Sequence, residues 1–255
     1  MPSLKDFTED WNKYTLNINT NRGVLSIKWN DIENLAMWSN IQAALYLQKT
    51  NSLQTFCEFF PRWYQKFWDA RFEQGVFNVA DDAVILDIGS GVAVIDLLLA
   101  QYLPKSQYYL LDKEGFNFKR GIYYDADYPE YHSWDPVHDA INATNFDPAR
   151  FTMISPADKW PEQVDVVTSY LSYCWHYPKE TYWNNIKESL KVGGKLILDV
   201  RTLPDRDIVG EISEDMKSKP DVFWFDNKLP THIDNMPAPT TGIPLGGRFM
   251  WTRKN

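Results

Sequence analysis

The sequence predicts an α/β protein built on a doubly wound, mostly parallel sheet of the seven-stranded type, preceded by a mainly helical accessory region. Two observations support this fold. Short apolar runs typical of buried parallel strands recur between residues 83 and 200, and segments with helical spacing separate most of them. Because such an alternation forms right-handed βαβ crossovers, a ligand crevice is expected at the carboxyl ends of the strands.

The accessory region is predicted to comprise residues 1–80. Residues 13–29 alternate apolar and polar side chains on either side of a turn rich in Asn and Gly, which is typical of a β-hairpin. Helical spacing follows over residues 31–45 and 53–72.

The main domain is predicted to comprise residues 81–255. Its tail contains two apolar runs, 222–225 and 248–253, which are expected to form an antiparallel pair at the edge of the sheet. The predicted core strands are 83–88, 107–112, 151–155, 164–171 and 195–200. The predicted helices are one that ends near Pro104, one that Asp135 caps with Pro136 in its first turn, and one over 179–192 that ends at Gly193–Gly194.

Composition and net charge limit the classes of partner and the cellular compartment that we expect. The 255 residues carry a formal net charge of -8, whereas nucleic-acid binding relies on Lys and Arg, so no nucleic-acid partner is expected. Cys57 and Cys174 form no C-x-x-C pair, which fits a reducing cytoplasm. The sequence shows neither a secretion signal pattern nor a run of 18 apolar residues, so a cytoplasmic protein without membrane association is expected. Its oligomeric state is left open.

The glycine-rich loop after the first core strand, LDIGSGVAV, suggests a nucleotide-type cofactor. Gly89 and Gly91 fit the first two positions of the dinucleotide loop G-x-G-x-x-G. The third position is Val94, and its branched side chain opposes the close helix–strand packing that the third glycine allows. A ligand without a pyrophosphate does not require such close packing at this loop.

Three stretches together resemble class I S-adenosylmethionine-dependent methyltransferases. The loop is similar to the family's (D/E)-x-G-x-G-x-G motif, with Asp87 in the acidic position and Ala93 in place of the third glycine. Asp112 matches the acid that the family places on the ribose hydroxyls, and SLKVGGKLIL resembles the turn that leads into the family's fifth strand. The resemblance covers residues 83–200 and implies a Rossmann-like methyltransferase with S-adenosylmethionine as cofactor and S-adenosylhomocysteine as product.

The resemblance also implies a set of cofactor-binding positions. Lys113 stands where the family often has an apolar residue under the adenine, and Asp158, just after Ala157, is the candidate contact for the adenine amino group. The full predicted set is Asp87, Gly89, Ser90, Gly91, Asp112, Lys113, Ala157, Asp158 and Ser169.

The segment after the fourth core strand suggests a small polar acceptor. It lacks both the Asn/Asp-Pro-Pro-Tyr sequence typical of nitrogen methylation and a Pro-Cys nucleophile. His176 is the best candidate for a general base, and packing or capping of the following helix is the alternative role. Tyr173 and Trp175 are predicted to line the acceptor pocket or to fill the core. Arg201 is predicted to bind an acceptor carboxylate or phosphate, with a surface ion pair as the alternative.

Residues 113–134 form an unusually long connection with acidic and aromatic side chains, which predicts either a lid or a solvated insertion. His132, Asp135, His138 and Asp139 lie close in sequence, yet no metal site is expected, since helix capping explains Asp135.

Three functions follow in order of preference. The first is methyl transfer to a small polar acceptor such as a sugar, at oxygen. The second is a non-catalytic protein that binds S-adenosylmethionine or S-adenosylhomocysteine. The third is an NAD(P)-dependent oxidoreductase, which Val94 and the Gly193–Gly194 turn disfavour.

Overall fold

The structure is a computed structural model, and it describes residues 14–29, 64–65, 79–115, 132–226 and 246–255. Within these ranges lie nine strands and four α-helices. The strands are β1 (Tyr14–Thr20), β2 (Gly23–Trp29), β3 (Val84–Ile88), β4 (Gln107–Leu111), β5 (Phe151–Ile154), β6 (Val164–Ser169), β7 (Leu190–Arg201), β8 (Asp221–Asp226) and β9 (Gly246–Thr252). The helices are α1 (Val94–Tyr102), α2 (Asp135–Asn142), α3 (Trp183–Ser189) and α4 (Ile208–Met216).

Seven strands form one mostly parallel sheet in the order β5-β4-β3-β6-β7-β9-β8. The five strands from β5 to β7 run parallel, whereas β9 pairs antiparallel with both β7 and β8. The predicted doubly wound, seven-stranded sheet is therefore confirmed, as is the antiparallel pair at its edge. The chain order reverses between β3 and β6, and this switch point is where a ligand crevice is expected.

Each face of the sheet carries its own apolar core. On one face, Ile85 of β3 and Ile197 of β7 pack with the buried side of α1. On the other face, Leu86 of β3 packs with Trp183 of α3 and Ile212 of α4. Neighbouring residues of one strand thus contribute to opposite cores, because successive side chains of a strand point to opposite faces. No helix in the described ranges is long and apolar enough to cross a membrane.

The predicted hairpin is confirmed and packs on the main domain. β1 and β2 pair antiparallel around a two-residue turn, with Thr20 opposite Gly23. Leu16 and Ile27 are buried in the same core as α1, and the Trp29 indole Nε1 donates a hydrogen bond to the Pro136 carbonyl at 2.8 Å. The hairpin therefore shares a core with the domain, while the division at residue 80 stays a prediction. The helical spacing over 31–45 and 53–72 lies outside the described residues, apart from residues 64–65.

Two predicted helix boundaries are wrong. The helix expected to end at Gly193–Gly194 ends at Ser189, and both glycines lie inside β7. The reason is pairing with the end of the chain, since the Gly193 amide donates to the Arg253 carbonyl at 2.8 Å and the Arg253 amide donates to the Gly194 carbonyl at 2.9 Å. Asp135 is the first residue of α2 and not its cap, a position that Trp134 occupies.

Candidate functional site

The predicted site residues gather at one edge of the sheet. Gly89 follows β3, Asp112 follows β4, Asp158 lies beyond β5, Ser169 ends β6 and Arg201 ends β7. Because these five strands are parallel, their carboxyl ends meet at the same edge. The structure therefore brings the predicted cofactor side and acceptor side to one rim of the sheet.

The loop between β3 and α1 turns through three left-handed residues. Gly89 has φ +78°, and a Cβ built there would lie 2.0 Å from the Ser172 Oγ, so this position admits only glycine. Gly91 has φ +54°, and Ala93, which caps α1, has φ 56°. The place of the missing third glycine thus keeps a left-handed backbone with the smallest side chain that can adopt it. The Gly89 amide donates to the Leu111 carbonyl at 2.7 Å and ties the turn to β4.

Asp112 holds its carboxylate beside this turn. Its Oδ2 accepts a hydrogen bond from the Gly91 amide at 2.9 Å, and its Oδ1 accepts one from the Lys113 amide at 2.8 Å. The side chain is 20% exposed. A carboxylate has about four acceptor positions. Two backbone donors therefore fix the orientation of the group and leave it able to accept from two further hydroxyls.

Asp87 and Asp96 form a buried acid pair beneath the loop. Desolvation raises the pKa of Asp87 to about 6, and it raises the pKa of Asp96 well above its usual value, with the charge of Asp87 as the next cause. The interaction between the two carboxyl groups lowers the pKa of Asp87 and raises that of Asp96, as expected for two buried acids that share a proton. The Thr168 hydroxyl also donates to the Asp87 Oδ1 at 2.8 Å. Asp87 is thus only 3% exposed, and its observed contacts lie within the fold.

The two predicted serines differ in their surroundings. The Ser169 hydroxyl donates to the Ile88 carbonyl at 2.7 Å and accepts from the Tyr173 amide at 2.9 Å, so this buried side chain joins the ends of β3 and β6. The Ser90 Oγ is buried and has no hydrogen-bond partner in the described part of the chain. Ser90 is therefore the serine with capacity for a ligand.

Beyond β5, Asp158 closes a local turn. Its Oδ2 accepts from the Ser155 amide at 2.7 Å, and these hydrogen bonds to Ser155 lower the pKa of Asp158. Both Asp158 and its neighbour Ala157 are exposed, and Lys113, beyond β4, is half-buried. Their predicted roles at the adenine stay predictions.

The acceptor side is more buried than the sequence suggests. Tyr173 is fully buried and its hydroxyl donates to the Lys179 carbonyl. Trp175 is 2% exposed, and its ring lies so close to Gly246 that a Cβ there would be 2.3 Å from Cζ3. The structure therefore places both aromatic side chains in the core, the alternative that the sequence left open.

His176 and Arg201 both form backbone hydrogen bonds with the segment after β6. The His176 side chain is buried, and its amide donates to the Ser172 carbonyl at 2.8 Å. Arg201 is half-buried, and its amide donates to the Cys174 carbonyl at 3.0 Å. The roles of His176 as base and of Arg201 in acceptor binding stay predictions.

Asp199 makes a buried ion pair within the sheet. Its two oxygens accept from Arg248 Nε and Nη2, each at 2.6 Å, between β7 and β9. Asp199 is 0% and Arg248 is 1% exposed, and the guanidinium lies 4.2 Å from the Tyr170 ring centroid. This ion pair lies within the fold, because the partner of Asp199 is on the antiparallel strand that covers it.

Two residues near Asp112 were not predicted as cofactor contacts. The His132 Nδ1 lies 3.8 Å from the Asp112 Oδ2, yet 20 residues separate them in sequence and no motif links them. Tyr182 is half-buried among other aromatic rings, and its pKa is raised to about 12 by burial and then by the negative charge of Asp112. The described residues contain no group of three or more His, Cys, Asp or Glu side chains that could hold a metal ion.

No protein-family model and no curated protein matches the sequence. Several solved structures are similar to the chain. Precorrin-6y C5,15-methyltransferase from Geobacter metallireducens is 19% identical, with 68% of this chain and 82% of that chain covered and a TM-score of 0.45. An S-adenosylmethionine-dependent methyltransferase from Aquifex aeolicus is 14% identical, with 72% and 90% covered and a TM-score of 0.43. The pre-rRNA processing protein fibrillarin from Methanococcus jannaschii is 15% identical, with 73% and 74% covered and a TM-score of 0.40.

The architecture itself matches the fold that the motifs predict. The strand order reverses between β3 and β6, the last strand β9 inserts antiparallel between β7 and β8, and the glycine turn meets the acid after β4. The chain therefore has the seven-stranded, Rossmann-like sheet that its motifs predict.

Proposed function

We propose that the protein is an S-adenosylmethionine-dependent methyltransferase that acts on an oxygen of a small polar acceptor, such as a sugar. The observation that carries this proposal is the orientation of Asp112. Its carboxylate is fixed by the Gly91 and Lys113 amides at the carboxyl edge, and each oxygen retains an acceptor position. This is the arrangement that binding of a ribose diol requires.

The residues around the turn fit an adenosyl ligand. Asp112 would hold the ribose, and the buried Ser90 hydroxyl, which has no partner in the described ranges, would face the rest of the ligand. The left-handed Gly89 and Gly91 keep side chains out of the turn. When bound, S-adenosylmethionine would supply a methyl group on a sulfonium, which is a good leaving group, so that the protein mainly has to position the acceptor.

A dinucleotide fits this corner less well. Val94 is the first residue of α1 and is 1% exposed, so its side chain fills the space that a third glycine would leave between helix and sheet. This packing favours an adenosyl ligand without a pyrophosphate.

The acceptor class rests on charge and on the segment after β6. A net charge of -8 disfavours a polyanionic acceptor. Holding a small acceptor in line can contribute about 7–11 kcal/mol to catalysis. The proposed base is His176, which would take the proton of the acceptor hydroxyl, a contribution of roughly 10²–10⁴-fold.

A second function has one observation in its favour. The three residues proposed for the acceptor side, Tyr173, Trp175 and His176, are all buried. A protein that binds S-adenosylmethionine or S-adenosylhomocysteine without turnover needs no open acceptor pocket. Burial of this segment therefore supports such a binding protein as the alternative.

Incubation with methyl-labelled S-adenosylmethionine and a pool of small polar metabolites separates the two functions. Transfer of label to a metabolite hydroxyl supports the methyltransferase. Tight binding of S-adenosylhomocysteine without transfer to any metabolite, nucleic acid or protein fraction supports the binding protein. A His176→Ala variant that transfers label at the rate of the unaltered protein would remove His176 as the base.

A further inference from the structure

His132 is a buried imidazole whose two ring nitrogens make no hydrogen bond within the described part of the chain. Its side chain is 3% exposed. Leaving a buried polar group without a partner costs about 1–3 kcal/mol. Such a cost is expected where a group serves binding or catalysis and not the fold.

The position of His132 is fixed by both its backbone and its ring. The Gly115 amide donates to the His132 carbonyl at 3.0 Å, and residue 132 forms a bridge with Glu114, directly after Asp112 and Lys113. The ring packs edge-on against Trp134, with centroids 4.4 Å apart. These contacts hold His132 beside Asp112, while most of the 113–134 connection, residues 116–131, lies outside the described ranges.

The distance to Asp112 is informative. The His132 Nδ1 lies 3.8 Å from the Asp112 Oδ2, which is too long for a direct hydrogen bond. A hydroxyl oxygen about 2.8 Å from each atom, to one side of the line that joins them, would bridge the two. That hydroxyl would donate its proton to the Oδ2, which accepts only the Gly91 amide so far, and would accept from the imidazole N–H.

We propose that His132 is a second ribose-binding residue, and that it shares one ribose hydroxyl with Asp112. This inference rests on the proposed adenosyl-binding function and adds to it a residue that lies near the end of the 113–134 connection and outside the three methyltransferase-like motifs. A carboxylate alone accepts from any donor, whereas the pair of acceptor and donor selects a group that both donates and accepts, which is the property of a hydroxyl. The pair therefore favours a ribose over a deoxyribose at this position.

The test is a calorimetric comparison of three ligands: S-adenosylhomocysteine, its 2′-deoxy analogue and its 3′-deoxy analogue. His132→Phe is expected to bind S-adenosylhomocysteine about tenfold more weakly than the unaltered protein, the size of one good hydrogen bond. One of the two deoxy analogues is expected to bind both proteins with equal affinity, because it lacks the shared hydroxyl.

Two controls separate binding from folding. His138 is exposed on α2, and His138→Phe is expected to leave all three affinities unchanged. Without added ligand, His132→Phe is expected to unfold at the same temperature as the unaltered protein or higher, since Phe keeps the ring contact with Trp134 and removes two buried nitrogens. His132→Leu repeats the titrations and decides the question if the Phe variant does not fold.

The outcomes are distinct. If His132→Phe binds S-adenosylhomocysteine within twofold of the unaltered protein, the inference is wrong and the adenosyl function stands. If the variant lowers the affinity for all three ligands by the same factor, His132 has a structural role only, and the inference is again wrong. If the unaltered protein binds none of the three, the proposed function fails and the ribose role fails with it.

Discussion

Two acid–base pairs lie at the carboxyl ends of two parallel strands, β7 and β4, and they differ in how many of their hydrogen bonds the protein itself makes. Asp199 and Arg248 make two hydrogen bonds of 2.6 Å, and Asp199 also accepts from the Leu171 amide at 3.2 Å. Asp112 and His132 stand 3.8 Å apart, with the imidazole unpartnered in the described ranges. The protein itself supplies the hydrogen-bond partners of the first pair, whereas the second pair can still form hydrogen bonds to a ligand.

This difference separates structure from function. Asp199 and Arg248 are almost fully buried and join the parallel part of the sheet to its antiparallel edge. Asp112 is partly exposed and adjoins the glycine turn. We therefore expect changes in the first pair to affect stability, and changes in the second pair to affect ligand binding with little effect on stability.

Breaking the Asp199–Arg248 pair should have the largest effect, a loss of stability. Arg248→Met leaves the Asp199 carboxylate buried without its cation, which costs about 3–5 kcal/mol. The free energy of unfolding, measured by urea denaturation, is expected to fall by that amount.

The matched control replaces both partners. Asp199→Leu combined with Arg248→Met removes both charges and is expected to regain most of the lost stability, because an apolar pair of similar volume is often as stable as a buried ion pair. If Arg248→Met alone unfolds within about 0.5 kcal/mol of the unaltered protein, a difference typical of surface substitutions, the pair is not structural.

Changing Asp112 of the Asp112–His132 pair should lower ligand affinity. Asp112→Asn keeps the shape and an acceptor for the Gly91 amide but loses the charge, and hydrogen bonds to charged groups are worth about 1.5–3 kcal/mol. Affinity for S-adenosylhomocysteine is therefore expected to fall by roughly 10- to 100-fold in a calorimetric titration.

Asp147→Asn is the control for this change. Asp147 accepts from the Ala149 amide at 3.0 Å at the opposite end of β5, so it has a comparable local contact far from the carboxyl edge. It should leave the affinity unchanged. Equal losses in both variants would show that the effect of Asp112→Asn is not specific to the site.

The smallest expected effect is a pH dependence from Asp87 and Asp96. Because burial raises the pKa of Asp87 from 3.8 to about 6, the folded state retains a proton that the unfolded state releases. Stability contributed by this group is thus present at low pH and falls as pH rises through that window. Asp96→Asn removes a carboxyl group that must keep its proton in the folded state and can still donate to Asp87, so it should relieve part of this loss.

The measurement is the difference in unfolding free energy between Asp96→Asn and the unaltered protein at pH 4 and pH 8. The difference is expected to be near zero at pH 4 and about 1–2 kcal/mol in favour of the variant at pH 8. Asp82→Asn, in the exposed turn before β3, should show no such change. A variant that is less stable at pH 8 than at pH 4, relative to the unaltered protein, would contradict the shared proton.

The sequence predicts the elements that hydrophobic periodicity determines. The core strands, the hairpin and the antiparallel edge pair follow from apolar runs and turn residues, and all are present. The end of α3 was wrong because Gly193 pairs with Arg253 across the chain, a contact that no local pattern contains. Helix-capping rules describe local backbone needs, and here a tertiary pairing prevailed.

The candidate site likewise contains residues that the sequence identifies and residues that only the fold brings together. The glycine turn and Asp112 are recognisable because the family motifs that they resemble have a fixed order and spacing. His132 lies near the end of the long connection after β4, 20 positions from Asp112, and Asp199 is buried by β9, which begins 47 positions later. Only the folded chain places these partners together, so their roles cannot be derived from sequence distance.

The most direct test of the account is a calorimetric titration of the unaltered protein with S-adenosylhomocysteine and, in parallel, with NAD. We predict saturable binding of one S-adenosylhomocysteine per chain, weakened in Asp112→Asn, and no heat of binding with NAD. Binding of NAD together with no binding of S-adenosylhomocysteine would contradict the assignment of the Gly89–Gly91 turn and Asp112 to an adenosylmethionine site.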